Sequence, residues 1–298
     1  METLEALNHH IHSVHDLQSV VKTMKGLAAV NIHQYEQAVD ALGDYRRSLE
    51  LGLQVLLHRA PDAVKVPPAD PQTRLAAVVL GSDQGMCGQF NSRIVAFAAE
   101  KLRSEWGGSH PPMVFAVGMR AAAELEASGH RVAGSMTLPG SVAEITRSVQ
   151  ELLLQINRWR EEREARRVWL FHQRPLSGAS YEPHFEQVIP LGDDWLRSLR
   201  RRPWPTRTLP IFTMDWQTLF TSLVGQHLFA SFYRALAESL AAENAARLAA
   251  MQAAEKSVEE RLDELTSQYH RRRQNAITEE LLDVTAGFEI LNPQNVEH

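Results

Sequence analysis

Between Gly225 and Gly287 lie sixty-one residues without a glycine or a proline. At ~1.5 Å per residue they would make a helix of roughly 90 Å. No compact domain built from a chain of 298 residues can enclose a rod of that length. The rod therefore has to pair with something along its side. A seam is visible at Val258, Leu262, Leu265 and Tyr269, spaced 4, 3, 4, as helix pairing requires. Upstream, "ALAESLAAENAARLAAMQAAE" is nearly half alanine. Alanine favours helix and lets a neighbouring helix approach closely.

The other chain end supplies a matching stripe. From Met1 to Arg59 there is no proline, and apolar residues recur at Leu4, Leu7, Ile11, Val14, Val21, Met24 and Ala28. The 3-and-4 spacing marks one narrow stripe on a helix. Gly26 and Gly43 each weaken that helix by about 1 kcal/mol relative to alanine. "RAPDAVKVPPADPQT", with four prolines, then ends it. Pairing the two stripes gives an antiparallel coiled coil of the N- and C-terminal helices, with the middle of the chain looped out between them.

That middle, from about Arg74 to about Leu209, alternates strands with helices. "RLAAVVLGS", "PPMVFAVG" and "HRVAGSMTLP" read as strands, as do "RRVWLFHQRP" and "YEPHFEQVIPLG". "QFNSRIVAFAAEKLRSEW", "MRAAAELEASG" and "SVAEITRSVQELLLQINRWREEREA" read as helices. Gly129 closes the second in the C-cap manner, and Ser141 with Glu144 predicts a capping box on the third. The alternation implies a mainly parallel, Rossmann-like sheet with helices on its faces, and the last two strands suit an antiparallel edge. The expected fold is α/β, with residues 1–59 as the first coiled-coil helix, 74–209 as the inserted domain and 210–298 as the second coiled-coil helix.

The loop "GSDQGMCGQFN" after the first strand invites a nucleotide-binding reading. Its spacing is G-x-x-x-G-x-x-G, and no lysine follows until Lys101. A P-loop needs G-x-x-x-x-G-K-[ST], and a dinucleotide fingerprint needs G-x-G-x-x-G. Asp83 would repel a phosphate. The favoured reading is a strand-to-helix turn whose glycines adopt angles closed to other residues, with Ser82 or Asp83 bonding nearby amides.

Other chemistry is weakly signalled. Cys87 is the single cysteine, so no redox pair or thiolate metal site arises, and it reads as a packing residue. His12 and His15 could share a metal, but the crowd of His9, His10, His12 and His15 reads more simply as a solvated face. Asp193 and Asp194 read as turn residues. No hydrolase, metalloprotease or kinase signature occurs. No cofactor, metal or catalytic residue is therefore expected. A net charge of −5 argues against a nucleic-acid binder. No apolar run reaches the ~18–20 residues of a membrane span, and "METLEALNHH" reads as neither signal nor transit peptide. In "YHRRRQNAITEEL" the density of directional donors suits either a solvated face or a surface that grips a partner.

Three stretches resemble the gamma subunit of the F-type ATP synthase. They are "IHSVHDLQSVVKTMKGLAAV", "GSDQGMCGQFNSRI" and the pair "ESLAAENAARLAAMQAAEKSVEE" and "RRRQNAITEELLDVTAGFEIL". The last pair, with E-N-A-A-R-x-x-A-M followed by R-Q-x-x-I-T, is the most specific. The resemblance implies a central rotor shaft that makes no bonds in the reaction. It would couple transmembrane ion flow to ATP synthesis or hydrolysis by rotating inside a ring of alpha and beta subunits. It implies further partners in the epsilon subunit and the membrane c-ring, one copy per complex, and a peripheral position on the cytoplasmic face of a bacterial membrane. Residue by residue, Arg273, Gln274 and Thr278 match positions that contact a beta-subunit loop, and Lys22 and Met24 lie in a segment facing the beta subunits. Leu209 to Phe220 corresponds loosely to the foot near the c-ring. The chain departs from the family in its N-terminal histidines, in Gly26, in Glu279 and in the ending "AGFEILNPQNVEH". The competing reading is a Rossmann-like nucleotide-binding enzyme with coiled-coil ends for oligomerisation.

Overall fold

The structure is a computed structural model describing residues 3–59, 73–162, 165–176 and 180–291, with side chains up to residue 286. The proline-rich stretch 60–72 and the tail 292–298 lie outside the described residues. The chain forms two compact units. One comprises residues 1–27 and 250–298, the other residues 28–249.

Two long helices are shared by both units: α1 (Leu4–Arg59) and α6 (Trp216–Leu291). Within the smaller unit they pair antiparallel. Leu7 and Val21 of α1 are buried there, as are Met251, Val258, Leu262 and Leu265 of α6. Tyr269 and Arg272 are half-buried and continue the expected seam. The seam on α1 is polar in places, since Lys25 ion-pairs with Glu255.

In the larger unit, five strands form one sheet in the order β3-β2-β1-β4-β5. They are β1 (Arg74–Leu80), β2 (Met113–Val117), β3 (Val132–Met136), β4 (Ala165–Pro175) and β5 (Tyr181–Ile189). The first four run parallel, and β5 pairs antiparallel with β4 at the edge. Strand β1 is central, and its period-2 pattern splits the core in two. Leu75, Ala77 and Val79 face α2 (Phe90–Glu105) and α3 (Met119–Ala127). Ala76, Val78 and Leu80 face α4 (Val142–Glu162) and, from the long helices, Tyr35, Phe232, Leu236 and Leu240. The sheet is thus covered on both faces, as a parallel sheet must be. On the second face the long helices themselves form part of that cover.

Helix ends follow local chemistry. After α3, Gly129 takes φ 85°, and the His130 and Gly129 amides donate to the Leu125 and Glu126 carbonyls. This is the expected glycine C-cap, in Schellman form. At the start of α4, Glu144 reaches back to the amide of Gly140, one residue before the position the capping box predicts.

One expectation is corrected. Asp193 and Asp194 are not loop residues but the first turn of α5 (Asp193–Arg201). Acids suit that position because unpaired N–H groups gather there. Leu196 and Leu199, one turn apart, anchor α5 against Leu53 and Leu57 of α1.

Candidate functional site

The glycine loop is tied to neighbouring elements by its own side chains. Asp83 Oδ1 accepts from the amide of Met119, the first residue of α3, at 2.8 Å. Its Oδ2 accepts from the amide of Leu138, also at 2.8 Å. A helix start that could hold a phosphate therefore holds a carboxylate of the same chain. Asn91 braces the loop from α2: its Oδ1 takes the Ser82 amide at 2.9 Å, and its Nδ2 donates to Ser82 Oγ at 2.7 Å.

The glycines serve more than one purpose. Only Gly88 of the three takes a positive φ, 58°, while the non-glycine Met86 takes φ 60°. Gly81 is required instead by close approach, because a Cβ there would sit 2.2 Å from Ala121 Cβ. This corrects the expectation that all three glycines adopt angles closed to other residues. Cys87 is buried, packs with Phe90, Ala242 and Ala246, and has its thiol pKa pushed up by burial. A raised thiol pKa suits packing rather than reactivity.

The alanine-rich signature is also structural. Glu243 ion-pairs with Arg247 at 2.6 Å, and burial pushes its carboxyl pKa up against the pull of that arginine. Asn244 donates to the Leu240 carbonyl and accepts from Asn31 of α1.

Sequence reasoning missed a buried polar brace between sheet and helix. His172 on β4 is fully buried, and its Nε2 lies 2.9 Å from Glu238 Oε2 on α6. Arg234 Nη2 donates to Glu186 of β5 at 2.8 Å. Burial works against the charged form of Glu238, but the His172 hydrogen bond and the nearby His172 and Arg234 charges outweigh it. The carboxyl pKa is held below its usual value. Burial lowers the pKa of His184, which stands beside His172, and of His227, which stacks on Trp195. Partners 48 and 66 residues apart leave no local pattern in the chain. Only the unusual polar content of a buried strand, "FHQR", hints at them.

The partner-contact candidates lie in the smaller unit. From Arg273 to Ala286 every side chain of α6 is exposed. Arg273, Gln274 and Thr278 all fall in this stretch, and Thr278 Oγ donates to the Gln274 carbonyl. Among the described residues Arg273 makes no ion pair. The same stretch exposes Ile277, Leu281, Leu282 and Val284, with Leu281 63% accessible. On α1, Lys22 is exposed and Met24 half-buried, flanked by exposed Leu17, Val20 and Leu27. Spacings of 3, 4 and 3 through Leu17, Val20, Met24 and Leu27 make a second apolar stripe, separate from the Leu7 and Val21 seam. His9, His10, His12 and His15 are exposed on α1, and no group of three metal-ligating side chains gathers among the described residues. No helix among them is long and apolar enough to cross a membrane.

Comparison with known proteins covers nearly the whole chain. The family model described as ATP synthase matches residues 3–291. The ATP synthase gamma chain of Nitrosospira multiformis is 25% identical over 286 residues, covering 94% of this chain and 97% of that one. The gamma chain of Bartonella bacilliformis is 26% identical over 306 aligned positions, covering 98% and 100%. Among solved structures, the rotor of the Euglena gracilis mitochondrial ATP synthase aligns with TM-score 0.62 at 15% identity, over 92% of this chain and 98% of that one. The central stalk and c-ring structure from Tetrahymena thermophila gives 0.56 at 19% identity, over 79% and 99%.

Proposed function

The chain belongs to the ATP synthase gamma-chain family, and from that premise we propose that it is the central rotor shaft of an F-type ATP synthase. It is a peripheral component of a membrane-associated complex. In this reading it turns inside the ring of alpha and beta subunits, one copy per complex, with the epsilon subunit and the c-ring as its other partners. It couples ion flow to ATP synthesis or hydrolysis by biasing each beta subunit in turn, which is a coupling of two binding equilibria through a mechanical element. It sits at the cytoplasmic face of a bacterial membrane. The chain divides by role into an N-terminal segment 1–59, a side domain 74–209 and a C-terminal segment 210–298.

The observation that carries this reading is the bare helix from Arg273 to Ala286. Most helical stability in proteins comes from packing of an apolar face, and no described residue buries this stretch. Ile277, Leu281, Leu282 and Val284 exposed on such a helix call for a covering surface. The alpha and beta subunits supply it. Arg273, Gln274 and Thr278 grip a beta-subunit loop, with Arg273 offering a guanidinium that has no described carboxylate to satisfy it. Lys22 and Met24 face the beta subunits from α1.

Co-expression with alpha and beta subunits tests the reading. It expects one chain per hexamer and ATPase activity above that of alpha and beta alone. Arg273→Ala with Gln274→Ala should lower turnover without preventing assembly. The absence of any stoichiometric complex would sink the proposal. The enzyme alternative would need micromolar binding of ATP, ADP or NAD to the isolated chain by calorimetry, beside an α3 start whose Met119 amide Asp83 already occupies.

A further inference from the structure

The two long helices carry the same charged pattern inside the larger unit. On α1, Arg46 and Glu50 stand one turn apart, and on α6 Arg234 and Glu238 do the same. In each pair a guanidinium nitrogen lies 3.9 Å from the glutamate of its own helix. The two pairs are neighbours. Burial lowers the Arg46 pKa, the like charge of Arg234 lowers it further, and Glu50, Glu186 and Glu238 pull it back up.

Each pair is tied to other elements. Arg234 Nη2 donates to Glu186 of β5 at 2.8 Å, and Glu238 Oε2 accepts from His172 of β4 at 2.9 Å. Glu50 accepts from Arg202, the residue that closes α5, at 2.7 Å. Three carboxylates thus meet the two helix guanidiniums, with His172 and Arg202 as further donors. His172 is fully buried, and even Glu186 is only 28% accessible.

Stability does not account for this network. A buried ion pair gains little over a well-packed apolar pair. The buried Nε atoms of Arg46 and Arg234 also make no hydrogen bond among the described residues. What paired charges supply is register. The apolar contact beside them supplies it poorly. There α6 meets the sheet through Ala235, Leu236, Ala237, Leu240 and Ala241, and apolar burial is non-directional.

We propose that Arg46, Glu50, His172, Glu186, Arg234 and Glu238 are positioning residues that lock the sheet to both long helices, so that turning force passes between them without slip. The inference rests on the rotor reading. In that reading the turn enters at the c-ring and is used in the hexamer. A sheet that slides on its helices then lets ion flow and ATP turnover run out of step.

The test uses the whole membrane-bound complex in vesicles. ATP hydrolysis is read together with the initial charging of the membrane, by a potential-sensitive dye that responds to either coupling ion. Arg234→Met with Glu186→Gln cuts the β5 tie and leaves no bare carboxylate, because Glu238 keeps His172. This variant should assemble and hydrolyse ATP no more slowly than the parent, while charge moved per ATP falls about twofold or more. His172→Leu, which cuts the β4 tie, should act in the same direction. His172→Gln still offers Glu238 a donor and should keep the parent ratio. The parent ratio in both cut variants would overturn the proposal, as would an equal fall in His172→Gln. If one cut variant fails to assemble, the other decides. If the unaltered chain forms no complex, it is the rotor reading that fails.

Discussion

Two stretches of the same helix live in opposite surroundings. From Ala235 to Ala246 every residue of α6 is buried, on all sides of the helix. From Arg273 to Ala286 every residue is exposed. Both are helical and neither contains glycine or proline, so propensity does not separate them. Packing does. The first stretch is wedged against the sheet through Leu236 and Leu240 and against the glycine loop through Ala242 and Ala246, and its alanines make room for that. No described residue buries the second. A helix surrounded on all sides is part of a domain. A helix bare on all sides, with leucines on it, is what the rotor reading assigns to a partner.

The sharpest way to break this contrast is to make the same cut in both places. Leu236→Ala removes a fully buried side chain and should cost about 2–5 kcal/mol of unfolding free energy. Denaturant titration followed by circular dichroism reads it directly. Next in size is Asp83→Ala. It leaves the Met119 and Leu138 amides without their acceptor and should cost about 1–3 kcal/mol. It should not create a nucleotide site, because the loop still lacks a lysine and retains its tight backbone.

A smaller effect comes from the histidines of the larger unit. His184 and His227 have folded pKa values below the usual 6.5. The unfolded chain therefore binds more protons, and stability should fall as pH drops below about 6.5. Glu238, depressed below 4.5, adds stability that is present above that value and is lost only as pH falls through its folded pKa. Glu243, raised by burial, works the other way and is favoured when protonated. His227→Gln should thus flatten the decline just below pH 6.5 and leave the more acidic limb in place, as midpoints measured across pH would show. The smallest effect is expected at Leu281→Ala. That side chain is 63% exposed, so stability should change by no more than about 0.5 kcal/mol. A loss as large as that of Leu236→Ala would mean that the second stretch is buried within the isolated chain after all.

The two stretches also differ in how much the sequence reveals. The pairing seam through Val258, Leu262 and Leu265 is legible because helix pairing is periodic and local. That the glycine loop lacks a phosphate motif is legible from its spacing, whereas the partners of Asp83, 36 and 55 residues away, are not the nearby amides expected. Helix α5 is not legible: "LGDDWLRSLRRRPW" offers turn residues, and only Leu196 and Leu199 anchor it. The pairing of His172 with Glu238 is invisible because it joins residues 66 positions apart. The exposed set at Ile277, Leu281 and Val284 is hidden for another reason. Sequence periodicity marks an apolar face without saying whether the partner is in the same chain.

The rotor reading predicts that fixing this bare stretch to its surroundings stops turnover. Cys87→Ser with Gln274→Cys, assembled with alpha subunits and with beta subunits carrying a cysteine in the facing loop, allows a reversible crosslink. With the crosslink formed, ATP hydrolysis should fall to the level of the hexamer lacking this chain, and reductant should restore it. Full hydrolysis by quantitatively crosslinked complexes would contradict the account.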